Sequence, residues 1–297
     1  MQSSGLNAET LARLAGVRLR ARAVVEGVLS GLHKSPHQGQ SVEFSEHKEY
    51  APGDELRHLD WKAYGKFDRH YIKRFEHETH LRGFLVLDGS ASMGYRSGAL
   101  SKLEAATTLA GALSYLLVKQ QDAAGLSWLS GDRIRHLPPR AAASHLRTIW
   151  TELDGAEAAG TTDLKAAADH LAEVVTHRSL IVIFSDLLDD DPEGALDRLL
   201  QLRRRGSDLT IFHLIDRAEL TFPFDDPTLF LSMEDDRKIE VNAREIRESY
   251  LEELGAFLAR TQARCAEANV DYQRVLTDEP LDAVLLRYLS RRQGRRR

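Results

Sequence analysis

The chain has one cysteine, Cys265, in 297 residues, so it can form no internal disulfide, and this usage points to a reducing, cytoplasmic setting. No apolar run approaches the ~18 residues that a membrane helix needs. The N-terminus, MQSSGLNAETLARLAGVRLRARAVVEGVL, lacks the compact apolar stretch and small-residue cleavage site of a secretory signal. Charge of one sign is not in large excess: the formal net charge is -5. Five arginines lie in the closing RRQGRRR, which leaves a body of about -10 and argues against nucleic acid as the main partner. That tail, 293–297, reads as a solvated, disordered end. There is no G-x-x-x-x-G-K-[ST] loop, so any ATP hydrolysis belongs to a partner. A dehalogenase-type phosphatase needs Asp-x-Asp after the first strand, and position 90 is serine. SASMG (90–94) lacks the first glycine of a G-x-S-x-G nucleophile elbow. Internal repeats and low-complexity linkers are absent too.

What is present is a 42% hydrophobic chain with material for a large core. From about residue 82, strand-length apolar runs alternate with helical periods, the pattern of a doubly wound, mostly parallel α/β sheet. Strands are expected at GFLVLD (83–88), GLSWLS (125–130), SLIVIFSD (179–186), DLTIFHLID (208–216) and VDYQRVL (270–276). Helices are expected at 101–120, 140–153, 163–177, 192–205, 243–268 and 280–291. Residues 1–80 read as an N-terminal extension, with a helix over 8–30, a glycine-and-histidine loop and a hairpin around GKFDR. Residues 81–292 form the α/β domain, interrupted by a hairpin near 221–241 that turns at EDDR.

The stretch FLVLDGSASMG (84–94) begins as a buried strand and ends with Asp88, Ser90 and Ser92 at alternating positions. In an open parallel sheet, ligands bind where loops leave the carboxyl ends of strands, and Asp88 stands at such an end. Asp186 closes SLIVIFSD in the same way, and GTTDL (160–164) puts Thr161 and Thr162 at a helix entrance that opens on the same rim. Alone, DGSAS is most often a capped strand-to-helix turn, and Thr162 a helix cap. Together the three segments deliver only oxygen donors to one edge. Such a set suits a hard cation, magnesium first, with manganese or calcium possible. Hydroxyls bring no charge, so two carboxylates at most neutralise a divalent ion, which stays electrophilic toward a carboxylate from outside. No histidine or glutamate is evidently placed as a base beside the cluster, so protein adhesion is expected rather than catalysis.

DGSASM, GTTDL and IVIFSD resemble the metal-ion-dependent adhesion site of von Willebrand factor A domains, Asp-x-Ser-x-Ser followed by a later Thr and a later Asp. On that pattern the ligands carry over to Asp88, Ser90, Ser92, Thr162 and Asp186. Thr161 stands where the family often has a second glycine, and the following Asp-Leu favours Thr162. The segment 31–79 resembles the signature of the bacterial domain of unknown function family 58, which has a von Willebrand A-like domain. The matching pieces are Gly31, His33 and Ser35, then Glu43 and Phe44, then Tyr50 to Trp61, and Tyr71 to Glu78. The resemblance implies a non-enzymatic protein-interaction module and, since members are typically encoded beside MoxR-type AAA+ ATPases, a partner of that class. A metal-dependent phosphate-ester hydrolase and a scaffold with a structural, empty site are the alternatives.

Two further patterns have simpler explanations. Stretch 57–74 carries Arg57, Lys62, Lys66, Arg69, Lys73 and Arg74, but the acidic run 43–55 just before it nearly cancels that charge, so the two read as one ion-paired hairpin region. Twelve histidines include His77 and His80 with His33 and His37, yet the i, i+3 spacing falls on an expected strand and no cysteine assists, so zinc is not expected. His33, Asp60 and Trp61 are expected to fix the extension to the α/β domain.

Overall fold

The computed structural model describes residues 6–34, 47–49, 71–73, 81–131, 133–161, 163–175, 177–204 and 206–295. The chain divides into two compact units, Met1–Lys34 with Leu81–Arg297, and Ser35–His80. In the smaller unit β1 (His47–Glu49) pairs antiparallel with β2 (Tyr71–Lys73). The expected GKFDR hairpin, Asp60, Trp61, His37, His77 and His80 lie outside the described residues, as does most of 57–74.

The larger unit is built on β3 (Arg82–Asp88), β4 (Ala123–Ser130), β5 (Arg133–Arg140), β6 (Leu180–Ser185), β7 (Asp208–Ile215) and β10 (Asp271–Leu276). Their order is β10-β7-β6-β3-β4-β5, parallel throughout except for β5, which runs antiparallel along β4. Alternate side chains of the inner strands go to opposite faces, and each face has its own core. Leu85, Leu87, Val182 and Phe184 pack with helices α1 (Ala8–Ala12), α2 (Val17–Lys34), α3 (Lys102–Lys119), α4 (Ala143–Asp154) and α9 (Leu281–Arg295). Phe84, Val86, Ile181 and Ile183 pack with α5 (Leu164–Val174), α6 (Pro192–Arg204) and Cys265 of α8 (Ala243–Glu267). Helices on both faces are why β3 and β6 read as unbroken apolar runs. The expected doubly wound α/β architecture is therefore the observed one.

Some elements depart from the sequence pattern. The helix expected over 8–30 is two helices, because Gly16 takes φ +81° and the Val17 N–H turns to the Asp154 carboxylate at 2.5 Å. Val17, Val24, Val25 and Val28 of α2 are buried, each contributing about 1.5 kcal/mol of apolar transfer, so this helix is part of the larger core. Strand β5 is absent from the expectation, because RIRHLPPR holds two prolines and three cations. An edge strand accepts Pro138 and Pro139 where a central one would not, beside a register shift near Gly125 of β4. The helix expected from 140 starts at Ala143. At the other end α9 reaches Arg295, past the expected start of the tail.

After β7, the short helix α7 (Arg217–Thr221) leads into an antiparallel hairpin, β8 (Pro227–Leu231) and β9 (Lys238–Asn242), with Phe230 opposite Ile239. Its turn lies at residues 232–237, closed by Ser232 N–H to Arg237 C=O at 2.9 Å.

Candidate functional site

Parallel pairing of β3 with β6 sets Leu87 against Phe184, which brings Asp88 level with Ser185 and leaves Asp186 one step beyond the strand. Asp88, Ser90 and Asp186 are all at most 3% exposed. Asp88 accepts from the Ser90 N–H at 2.9 Å and from the Ser185 hydroxyl at 2.6 Å. The hydroxyls of Ser90 and Ser92 lie 2.9 Å apart as the chain enters a 3-10 turn, Ala91–Gly94. Gly89 is obligatory between Asp88 and Ser90: a Cβ there would stand 2.3 Å from Trp128 Nε1 and 2.5 Å from the Leu129 carbonyl.

Two backbone bonds bring the GTTDL loop to this turn. Ala91 N–H donates to Gly160 C=O and Ala159 N–H to Gly89 C=O, both at 2.9 Å. Gly160 has φ +72°, Thr161 is exposed, and the Asp163 carboxylate caps α5 through the Ala166 N–H at 2.8 Å. The expected ligand Thr162 lies outside the described residues. Of the expected donors, then, Asp88, Ser90, Ser92 and Asp186 come to one rim, with the loop flanking position 162 beside them.

Several residues at this rim were not selected from the sequence. Lys102, 1% exposed at the first position of α3, places its ammonium 2.7 Å from Asp186 and 2.7 Å from Glu219. Burial opposes that charge, but the Asp186 and Glu219 carboxylates outweigh it and hold the Lys102 pKa above its ordinary value. A lysine at a helix N-terminus works against the dipole, which was the available signal that it had an anionic partner. Ser185 was visible only as part of a strand. Its hydroxyl donates to Asp88 while accepting the Leu187 N–H at 2.9 Å, and Leu187 is held at φ +56° just past Asp186.

His213, beneath Asp186 on β7, is 3% exposed and bonded at Nδ1 to the Tyr272 hydroxyl at 2.6 Å. Burial lowers its pKa from 6.5 to about 4, only partly offset by the Asp186 charge and backbone. With its pKa lowered to about 4 it is a weak base, and its Nδ1 is already engaged by Tyr272, so it is unsuited to serve as a general base.

Glu234 comes from the β8–β9 turn. Every other residue from 231 to 240 is exposed, while Glu234 alone is drawn inward against Ser92. Burial raises its pKa, the Ser92 hydroxyl and N–H offset part of that, and Asp186 and Asp88 push it higher. Its Oε1 is buried without a hydrogen-bond partner. Acceptors therefore outnumber donors at this spot, a condition that a hard cation would relieve. Among the described residues no three His, Cys, Asp or Glu side chains gather closely enough to form a metal site on their own. The donor set that fits a cation is the mixed one, in which Asp88, Ser90, Ser92 and Asp186 would contribute carboxylate and hydroxyl oxygens.

The sequence profile of the family described as "Protein of unknown function DUF58" matches residues 46–256. The chain belongs to this DUF58 family. Uncharacterized proteins of Mycobacterium tuberculosis and Mycobacterium bovis are 29% identical to it over 181 residues, covering 60% of this chain. The chain spans 57% of the length of those curated relatives. Among solved structures, an aerotolerance-related membrane protein from Bacteroides fragilis overlaps at TM-score 0.45 and 18% identity, over 71% of this chain and 97% of that one. The VWA domain of SpRpn10 overlaps at TM-score 0.42 and 12% identity, over 69% of this chain and 94% of that one. Overlaps this loose leave the fold of this DUF58 chain to be read from its own sheet. No helix among the described residues is long and apolar enough to cross a membrane.

Proposed function

We propose that this DUF58 protein is a non-enzymatic interaction module that holds a divalent cation, magnesium first, at the rim formed by Asp88, Ser90, Ser92, Thr162 and Asp186. The cation engages a carboxylate on a partner protein, and the partner class implied by the family resemblance is a MoxR-type AAA+ ATPase in the cytoplasm. The observation that supports the reading best is the convergence of buried oxygens at two adjacent strand ends, beside a buried Glu234 oxygen that has no donor. In this set the protein's own residues would position the ion, and the ion when bound would supply Lewis acidity toward an incoming carboxylate. Hydrolysis of a phosphate ester through the same ion is less well supported, since the histidine beside Asp186 is buried, weakly basic and already hydrogen-bonded.

Calorimetric titration of magnesium and manganese into wild type and Asp88→Ala is the direct test, followed by capture of the ATPase with and without EDTA. Ion binding and EDTA-sensitive capture by wild type, both lost in Asp88→Ala, are expected. Capture unchanged by EDTA and by the substitution overturns the mechanism.

A further inference from the structure

We propose that Glu234 is a built-in carboxylate ligand for the rim, so that the β8–β9 hairpin occupies the approach that an outside carboxylate must use. The inference rests on the reading of the rim as a cation site, and it adds how that site is kept from indiscriminate engagement. Three features of the turn support it. First, Glu234 faces inward in a loop whose neighbours Ser232, Met233, Asp235 and Asp236 are all exposed, against the tendency of a charged side chain to stay in water. Second, the turn is shaped to keep it there. The Ser232 hydroxyl accepts the N–H groups of Glu234 and Asp235 at 3.3 and 3.2 Å, and the Asp235 carboxylate accepts the Arg237 N–H at 3.0 Å. The Met233 methyl reaches the 3-10 turn beside Gly94, 3.5 Å from where a Cβ would stand. Third, Glu234 lies against Ser92, an expected ligand, with its Oε1 buried and unsatisfied, so it brings to the rim the acceptor that a partner's Asp or Glu would bring.

The hairpin is also held through β8. Phe230 stacks on Phe222 at 5.6 Å and meets Phe224 at 5.3 Å, while Leu229, Leu231, Met233 and Ile239 are each 47–59% exposed. A tethered carboxylate at millimolar effective concentration competes with weak outside carboxylates and yields to a partner that also covers the apolar hairpin surface.

Water-proton relaxation of manganese added to the full chain tests this, with wild type, Glu234→Ala, Glu234→Gln and Asp88→Ala compared. Octahedral ions keep several waters, so removing Glu234 is expected to add about one exchangeable water to the bound ion. Millimolar acetate is expected to reverse that gain in both Glu234 variants and to have little effect on wild type, with apparent acetate affinity about tenfold higher in the variants. Manganese binding lost in Asp88→Ala, with relaxation and acetate response identical in wild type and both Glu234 variants, overturns the internal ligand and leaves the cation site standing. Absence of manganese binding in all four proteins overturns both readings.

Discussion

Asp88 and Asp186 end adjacent strands of one sheet, yet they are stabilised in different ways. Asp88 is held by a backbone N–H and a serine hydroxyl, with two further hydroxyls beside it. Asp186 is held by the buried Lys102 ammonium, which it shares with Glu219. Neutral donors leave a carboxylate's charge in place for an incoming cation, whereas a buried ammonium cancels most of it. The Asp186 side is thus assembled by an internal cation, a role that neither of the bonds named for Asp88 plays.

Lys102→Met breaks that difference and carries the largest expected effect. It leaves the Asp186 carboxylate buried without its ammonium, and removing one partner of a buried pair costs about 3–5 kcal/mol. The low end, about 3 kcal/mol, is expected because the Glu219 side chain is 23% exposed and can rehydrate. Thermal unfolding measures the loss. Magnesium is expected to restore more stability to Lys102→Met than to wild type, since both sides are then anionic. A variant as stable as wild type without added metal would show that Lys102 does not hold Asp186.

Acid probes the Asp186 side from beneath, through a histidine that the fold keeps neutral. Burial depresses the folded His213 pKa from 6.5 to about 4. Between those values the unfolded chain binds a proton that the folded chain refuses, so stability falls as pH drops from about 6.5 to about 4. The groups bearing on His213 are Asp186, Lys102, Arg274 and the Tyr272 hydroxyl. The full span is worth about 3 kcal/mol, from about 1.4 kcal/mol per pH unit. Denaturant titration across that window reads it, and His213→Gln is expected to flatten the slope even if its overall stability is lower. Asp216 does not blur the test: its capping bonds, including those from Ser97, outweigh burial and depress its pKa, so its contribution is lost only at more acid pH.

The sequence pattern revealed the skeleton of this arrangement far better than its electrostatics. Buried parallel strands are continuous apolar runs whose carboxyl ends share one rim, so the convergence there of Asp88, Ser90, Ser92 and Asp186 was legible from order alone. Lys102 and Glu219 were not, because their pairing joins residues 117 apart through the fold, and a charged residue in a helix pattern looks the same whether it faces water or a buried carboxylate. Glu234 sits in EDDR, where composition marks only an exposed turn. Strand β5 was hidden by its prolines, which are compatible with pairing only at the edge position that the tertiary fold assigns to it.

Ser185→Ala sharpens the comparison from the Asp88 side, with the smallest effect of the three. Its hydroxyl donates to the Asp88 carboxylate at 2.6 Å and accepts the Leu187 N–H at 2.9 Å, so the substitution removes one charge-assisted bond and one ordinary one. A bond to a charged group is worth about 1.5–3 kcal/mol, and the Ser90 N–H still serves Asp88. The expected loss is therefore about 2 kcal/mol, below that of Lys102→Met, because a carboxylate that loses a neutral donor keeps its other partners, while one that loses an ammonium is left with uncompensated charge. Leu187, held at φ +56° with its N–H on the Ser185 hydroxyl, is released at the same time, so amide exchange at 187 and 188 is expected to quicken in Ser185→Ala. A loss as large as that of Lys102→Met, with no change in exchange at these two amides, would mean that both carboxylates depend on charge compensation alike.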